Sequence, residues 1–377
     1  MSQFKTPGQL LQHLLGERGW SNRVLATVMS KSDSTVSKII AGSKAVDAET
    51  AVIFEEIFGV EAERFMQLQV DYDLAVARVA SMPDPKRAVR AEVFGGLPIG
   101  EMSKRGWLGS VNVRDTASVE DALSTFFDAQ SLDAIEFLPH AARKTEVNTE
   151  TNPAQLAWIY RVKSMASEML VPKFSHAKLD EAIGQLAELR VSAENIRQVP
   201  RILEKAGIRF VIVETLPTAK IDGVCYWFDA NSPVIGMSLR HDRVDNFWFV
   251  LRHELEHVRL GHGKDQIILD SDIGSMLARP ESELPEEERL ANAAGAEFCV
   301  PQAKMKMFVD RKAPLFSERD MVGFARSLKI HPGLVAGQLQ YMTGRYERFR
   351  QHLEKVREHI LPVAYSDGWG DVAPVGD

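Results

Sequence analysis

The run His253-Glu254-Leu255-Glu256-His257, set beside the apolar stretch Phe247-Trp248-Phe249-Val250-Leu251, constrains this chain more than any other feature. Residues four apart on an α-helix lie one above the other, so a helix here aims both imidazoles the same way and keeps Glu254 beside them. Two neutral imidazoles and a carboxylate hold Zn2+ with one position open, and a non-ligating Glu accepts the proton of a water attacking a carbonyl. The HExxH spacing therefore assigns His253 and His257 as metal ligands and Glu254 as general base. The bland alternative is a buried amphipathic helix whose histidines only form hydrogen bonds.

Such a site needs a third ligand. Gly261 and His262 each stand one place off the HExxHxxGxxH template, so His262 reads as a helix-end residue. Asp265, Asp270, Asp272, Glu281, Glu283, Glu286 and Glu287 lie in or beside a proline-broken acidic stretch that reads as loop or helix entry. Glu288 differs, because it opens a small-residue segment through Cys299 able to pack closely against the HExxH helix. Glu288 is the expected third ligand, and Zn2+ the expected cofactor.

The 377 residues suffice for two or three domains. The start carries no basic-then-apolar signal pattern and no apolar run approaches membrane-spanning length, so a cytoplasmic protein without membrane contact is expected. Cys225 and Cys299 alone support neither a disulfide framework nor a thiolate zinc site. A net charge of −7 gives no global field for nucleic acid, so any DNA contact must come from a local face. One exists near the N-terminus: from Trp20 to Val46, Arg23, Lys31, Lys38 and Lys44 stand against Asp33 alone, and the next stretch to Glu63 turns acidic.

Residues 7 to 70 read as a compact helical unit. Leu10, Leu11, Leu14 and Leu15 mark a helix from Gly8 to Arg18; Ser21 caps a second over Asn22 to Met29; Ser32 or Asp33 caps a third through Ala41, ended by Gly42. The short gap between the second and third is helix-turn-helix spacing, the alternative being an ordinary helical bundle with a solvated polar face. Thr6-Pro7-Gly8, Gly19-Trp20-Ser21, Leu25-Ala26, Ser34-Thr35-Val36-Ser37, Gly42-Ser43-Lys44, Glu49-Thr50-Ala51 and Phe58-Gly59, in that order, resemble an XRE-type helix-turn-helix of the HigA antitoxin kind over about the first 75 residues. The resemblance implies binding to a double-stranded DNA operator, with Arg23, Lys31, Lys38 and Lys44 on phosphates and Ser34, Thr35 and Ser37 near base edges.

Residues 76 to 177 read as a helical connector. Met82-Pro83-Asp84-Pro85 and Gly95-Gly96-Leu97-Pro98 are breaks, and Val119 to Phe127 and Gln155 to Glu168 have helical patterns. Helices at Leu179 to Leu189 and Ala193 to Ala206 follow, then strands at Arg209 to Val213, Gly223 to Phe228 and Val234 to Leu239, then the HExxH helix. Beyond Pro301 come more helices, one opened by His331-Pro332-Gly333, and residues 362 to 377 read as a flexible tail. The expected class is α+β, mostly helical, with an all-α helix-turn-helix domain over 1–75 and a zincin-like domain with a small sheet over 178–361.

Pro233-Val234-Ile235, Asp245 through Phe249, His253 through His257, Glu288 through Pro301 with Ala291-Asn292 in register, and His331 through Gln340 resemble the ImmA/IrrE family of zinc metallopeptidases. That resemblance also assigns Glu288 as third ligand. Glu256 stands where the family commonly has Gly, facing away from Glu254, with a nearby Arg such as Arg252 as its expected partner. Arg240 and His262 are candidate oxyanion groups, with a structural salt bridge or a helix-end role as the favoured reading of either. Together the two resemblances imply a DNA-binding regulator, as a homodimer on paired half-sites, whose peptidase acts on a repressor, antitoxin or toxin-type protein. The alternative is a regulator whose zincin domain senses a ligand or partner without hydrolysis.

Overall fold

A computed structural model describes residues 4–80, 87–130, 142–143, 152–273 and 281–368. The chain divides into two compact units, Met1–Arg87 and Ala88–Asp377.

The first unit contains helices α1 (Pro7–Arg18), α2 (Asn22–Val28), α3 (Asp33–Ile40), α4 (Ala48–Phe58) and α5 (Ala62–Ala80). The first four start for one chemical reason: the side-chain oxygens of Thr6, Ser21, Ser32 and Asp47 each accept the backbone amide three residues on. Leu11, Leu25, Val36, Phe54 and Phe65 are fully buried and tie the helices into one core. α1 crosses α3 at Gly8, where a Cβ would overlap the carbonyl oxygen of Ile40, so the crossing requires glycine. The expected break at Met82-Pro83-Asp84-Pro85 lies outside the described residues.

The second unit is built on a mixed sheet of strands β1 (Ala142–Arg143), β2 (Arg209–Val213), β3 (Ile221–Trp227), β4 (Pro233–Met237), β5 (Ile267–Ser271) and β6 (Tyr365–Asp367), in the order β1-β5-β3-β4-β2-β6. β3 runs antiparallel to both neighbours, while the pairs β2–β4, β2–β6 and β1–β5 are parallel. Alternate residues face opposite ways, and both faces are covered. Phe210, Ile212, Cys225, Ile235 and Met237 join a core with the HExxH helix Val244–Leu260. Val211, Val213, Val224, Val234 and Leu269 join a second core on the other face.

That second core corrects the connector reading. Leu97, Met102, Trp107, Val119, Leu123 and Phe127, with Trp158 and Val162 of the helix Pro153–Glu168, pack onto the sheet as its second layer. Trp158 Nε1 donates to the Val213 carbonyl at 2.9 Å and Gln155 Nε2 to the Ala219 carbonyl at 2.8 Å, so polar groups lock the same contact. The tail reading also changes. Tyr365–Asp367 pairs with β2, and Asp367 accepts from Trp107 Nε1 at 2.8 Å and from Arg161. Residues 369–377 lie outside the described residues.

The expected single helix from Ala193 to Ala206 is a 3-10 helix, Ala193–Gln198, followed by an α-helix, Val199–Lys205. Pro200 explains the division, since proline cannot donate a hydrogen bond and is tolerated in a helix's first turn. Among the described residues no helix is long and apolar enough to cross a membrane.

Candidate metal centre and nucleic-acid face

The HExxH helix is held by its apolar side: Phe247, Trp248, Val250, Leu251, Leu255 and Val258 are at most 1 % exposed. At roughly 1.5–3 kcal/mol for each large side chain, this burial fixes the helix's rotation and hence the direction of its polar residues. The helix ends at Gly261, whose left-handed φ of 75° lets the chain turn back, and the His262 amide caps it by donating to the His257 carbonyl at 2.9 Å. This turn brings His262 Nδ1 to 3.0 Å from His257 Nδ1. Sequence spacing sets His262 apart from the expected ligands, and the fold places it against the His257 ring.

His253 and His257 present their Nε2 atoms 3.0 Å apart. Glu288 comes from the first turn of the helix Glu286–Cys299, which lies close because Ala291 and Gly295 are small; a Cβ on Gly295 would press on Phe249. Its carboxylate oxygens stand 3.4 Å from His253 Nε2 and 3.7 Å from His257 Nε2. One turn further, Asn292 Oδ1 lies 3.1 Å from His253 Nδ1. Each imidazole thus has a partner on Nδ1, an arrangement that leaves Nε2 to face the centre.

A fourth group reaches the same point. Asp270 of β5 is fully buried and lies opposite Gly223 of β3, with Oδ2 at 3.2 Å from His253 Nε2 and 3.8 Å from His257 Nε2. Gly223 leaves the room that Glu254 fills, because a Cβ there would overlap Glu254 Oε1. The ligand atoms of His253, His257, Asp270 and Glu288 all lie within 4.8 Å of one another. Sequence reasoning assigned Asp270 to a loop. The signal was Ile267-Ile268-Leu269 just before it, a short β-prone run obscured by Asp265 and Asp272.

The acids and imidazoles of the cluster perturb one another strongly. Both oxygens of Glu254, both of Asp270 and Oε2 of Glu288 are buried without a hydrogen-bond partner among the described residues. Burial and the Asp270 charge hold Glu254 well above the usual carboxylate range and push Glu288 up to about 7. Burial opposes ionisation of Asp270, yet His253 outweighs it and brings Asp270 down to about 2. Burial also opposes charging His253, but Asp270 and Glu288 raise it well above its ordinary value; His257, buried beside His253, falls to about 3. Mixed nitrogen and oxygen donors, converging and otherwise orphaned, fit a divalent cation such as zinc.

Two other sequence readings find their places. Glu256 pairs with Arg252 at 2.7 Å and with Arg259 at 2.5 Å, so it braces the outer side of the helix and faces away from the cluster. Arg240 makes the favoured structural salt bridge, binding Asp222 at 2.8 Å and Asp272 at 2.9 Å.

In the first unit, Arg23, Ser34, Ser37, Lys38 and Lys44 are exposed. Lys31 is also exposed and pairs with Glu49 at 3.8 Å. Thr35 is half-buried, with its hydroxyl 3.0 Å from that of the cap Ser32, which limits it as a base contact. Asn22 Nδ2 donates to Ser37 Oγ at 3.3 Å and links α2 to α3.

Residues 11–65 match the helix-turn-helix family profile, which spans the polar face of α3 and supports a DNA-binding transcriptional regulator. A comparison with curated proteins finds no match.

Proposed function

We propose that the protein is a DNA-binding regulator carrying a zinc-dependent endopeptidase of the ImmA/IrrE kind, with a zincin-like second unit, that cleaves a repressor or antitoxin-type protein. The observation that carries the peptidase half is the meeting of His253, His257 and Glu288 with Glu254 buried and unpartnered beside them. A purely structural metal site has no need of such a base.

His253, His257 and Glu288 would hold a zinc ion, which would supply Lewis acidity toward a peptide carbonyl and water. Glu254 takes a proton from the water that attacks the carbonyl carbon and delivers it to the amide nitrogen as the C–N bond breaks. Asn292 and His262 hold the two imidazoles through Nδ1. The low-dielectric surroundings strengthen the interactions among these groups. On the DNA side, Arg23, Lys38 and Lys44 would meet phosphates and Ser34 and Ser37 base edges, with a homodimer spanning two half-sites.

A second reading, a regulator that senses a partner without hydrolysis, draws on burial: Glu254, His253 and His257 are 0 % exposed. Glu254→Gln separates the two. Wild-type, zinc-loaded protein should cut a candidate repressor or antitoxin, and Glu254→Gln should cut it about 100- to 10,000-fold more slowly while retaining its metal. An identical cellular phenotype for both, with every candidate left intact by the wild type, would sink the peptidase. For the DNA half, Lys38→Ala should lower the salt slope of operator binding by about 0.9. An unchanged slope removes Lys38 from the interface.

A further inference from the structure

We infer that Asp270 is a fourth protein ligand, so that the metal is held by two histidines and two carboxylates and its open position is closed by the protein itself. The inference rests on the metal-centre reading above and adds to it a residue outside the HExxH-plus-Glu pattern.

The geometry treats Asp270 and Glu288 alike. Asp270 Oδ2 stands 3.2 and 3.8 Å from the two imidazole Nε2 atoms, and the Glu288 oxygens stand 3.4 and 3.7 Å from them. Donors sharing one tetrahedral zinc ion sit about 3.3 Å apart. Whatever qualifies Glu288 as a ligand therefore qualifies Asp270. Both Asp270 oxygens are fully buried, and the imidazole that stands 3.2 Å from Oδ2 is that of His253, itself a proposed ligand, so the carboxylate is turned wholly toward the centre.

The backbone around Asp270 is tethered. Its strand pairs with β3 at Gly223, next to a register shift. Two residues on, Asp272 binds Arg240 at 2.9 Å, and the Ile273 amide donates to Asp222 at 2.8 Å. Asp222 is itself buried and held by Arg240 at 2.8 Å. These bonds aim Asp270 at the imidazoles.

The functional consequence follows from coordination number. Three protein ligands leave the position that hydrolysis needs, whereas four make the closed set of a structural site. Asp270 would thus occupy the position that water or a peptide carbonyl needs, and hydrolysis would require its carboxylate to swing away. Such a ligand makes peptidase activity conditional without any second molecule in the site.

Cobalt(II) provides the test, because its visible absorption is intense when four-coordinate and weak at higher coordination. Full-length protein is loaded with one equivalent of Co2+ and titrated with azide, a small anion that binds only at an open position. The wild-type spectrum should be four-coordinate and unmoved by azide. Asp270→Ala should bind Co2+ and Zn2+ more than roughly 100-fold more weakly, beyond the 10- to 100-fold typical of an outer-shell partner, and should respond to azide. Asp270→Asn, of nearly the same shape, supplies the affinity comparison if the alanine variant does not fold. Azide binding to the wild type, or variants with wild-type affinity and spectrum, would overturn the assignment while leaving the metal centre standing. Wild-type protein that takes up neither Co2+ nor Zn2+ would instead overturn the metal centre itself.

Discussion

At the scale of single residues, the centre is decided by which nitrogen of each histidine is free. His253 and His257 sit one helical turn apart, and that spacing alone directs both rings to one side. It does not select the coordinating atom. Asn292 and His262 do, by engaging Nδ1 at 3.1 and 3.0 Å. Asn292→Ala should therefore lower zinc affinity about 10- to 100-fold, with an unchanged far-ultraviolet dichroism spectrum. Equilibrium dialysis against a competing chelator measures this, and unaltered affinity would remove Asn292 from the supporting shell. Glu256 illustrates the opposite case: its pairing with Arg252 follows from i,i+4 spacing and was readable without the fold.

At the scale of elements, helices and strands differed in how much of themselves they disclosed. The HExxH helix and the helix bearing Glu288 announce themselves through periodicity and small residues. β5 hides because three apolar residues between acids carry too little local signal, and only its pairing with β3 makes Ile267–Ser271 a strand. The β3–HExxH contact is equally non-local. It depends on Gly223, where a side chain would collide with Glu254. If the proposed peptidase operates, Gly223→Ala should displace the Glu254 carboxylate and depress hydrolysis while added zinc still binds, since Glu254 is not among the proposed ligands. Loss of activity together with loss of zinc would show that the substitution disturbs the whole centre.

At the scale of the whole molecule, the buried charges predict opposite pH responses for the metal-free and loaded protein. Glu288 has a folded value of about 7 against an ordinary 4.5, so its contribution to stability is lost as pH rises through that interval. Glu254 is shifted in the same direction. His253 is raised above 6.5, so its contribution is present below 6.5 and lost at higher pH. His257, lowered to about 3, has the reverse sign: its contribution is lost as pH falls from 6.5 toward 3 and is constant above 6.5. From pH 6.5 to 8 the metal-free protein should therefore lose thermal stability. Zinc-loaded protein should hold or gain stability over the same range, because metal binding requires deprotonated ligands and strengthens as protons become scarce. Calorimetry of both forms checks the sign, and parallel slopes would count against a metal held by these groups.

By itself the sequence determined the local machinery: the helical caps at Ser21 and at Ser32 or Asp33, of which the fold uses Ser32, the shared direction of His253 and His257, and the helix that carries Glu288. These are legible because cap bonds and helical faces are set by residues three or four positions apart. The tertiary structure alone decided that residues 97–127 and the helix Pro153–Glu168 form the sheet's second layer, that Tyr365–Asp367 adds a strand, and that Asp270 joins Glu288 at the imidazoles. Each of these depends on strand pairing or two-sided burial between distant segments. Asp270 meets the histidines only because β5 chooses β3 as its partner, and no short stretch of chain encodes that choice.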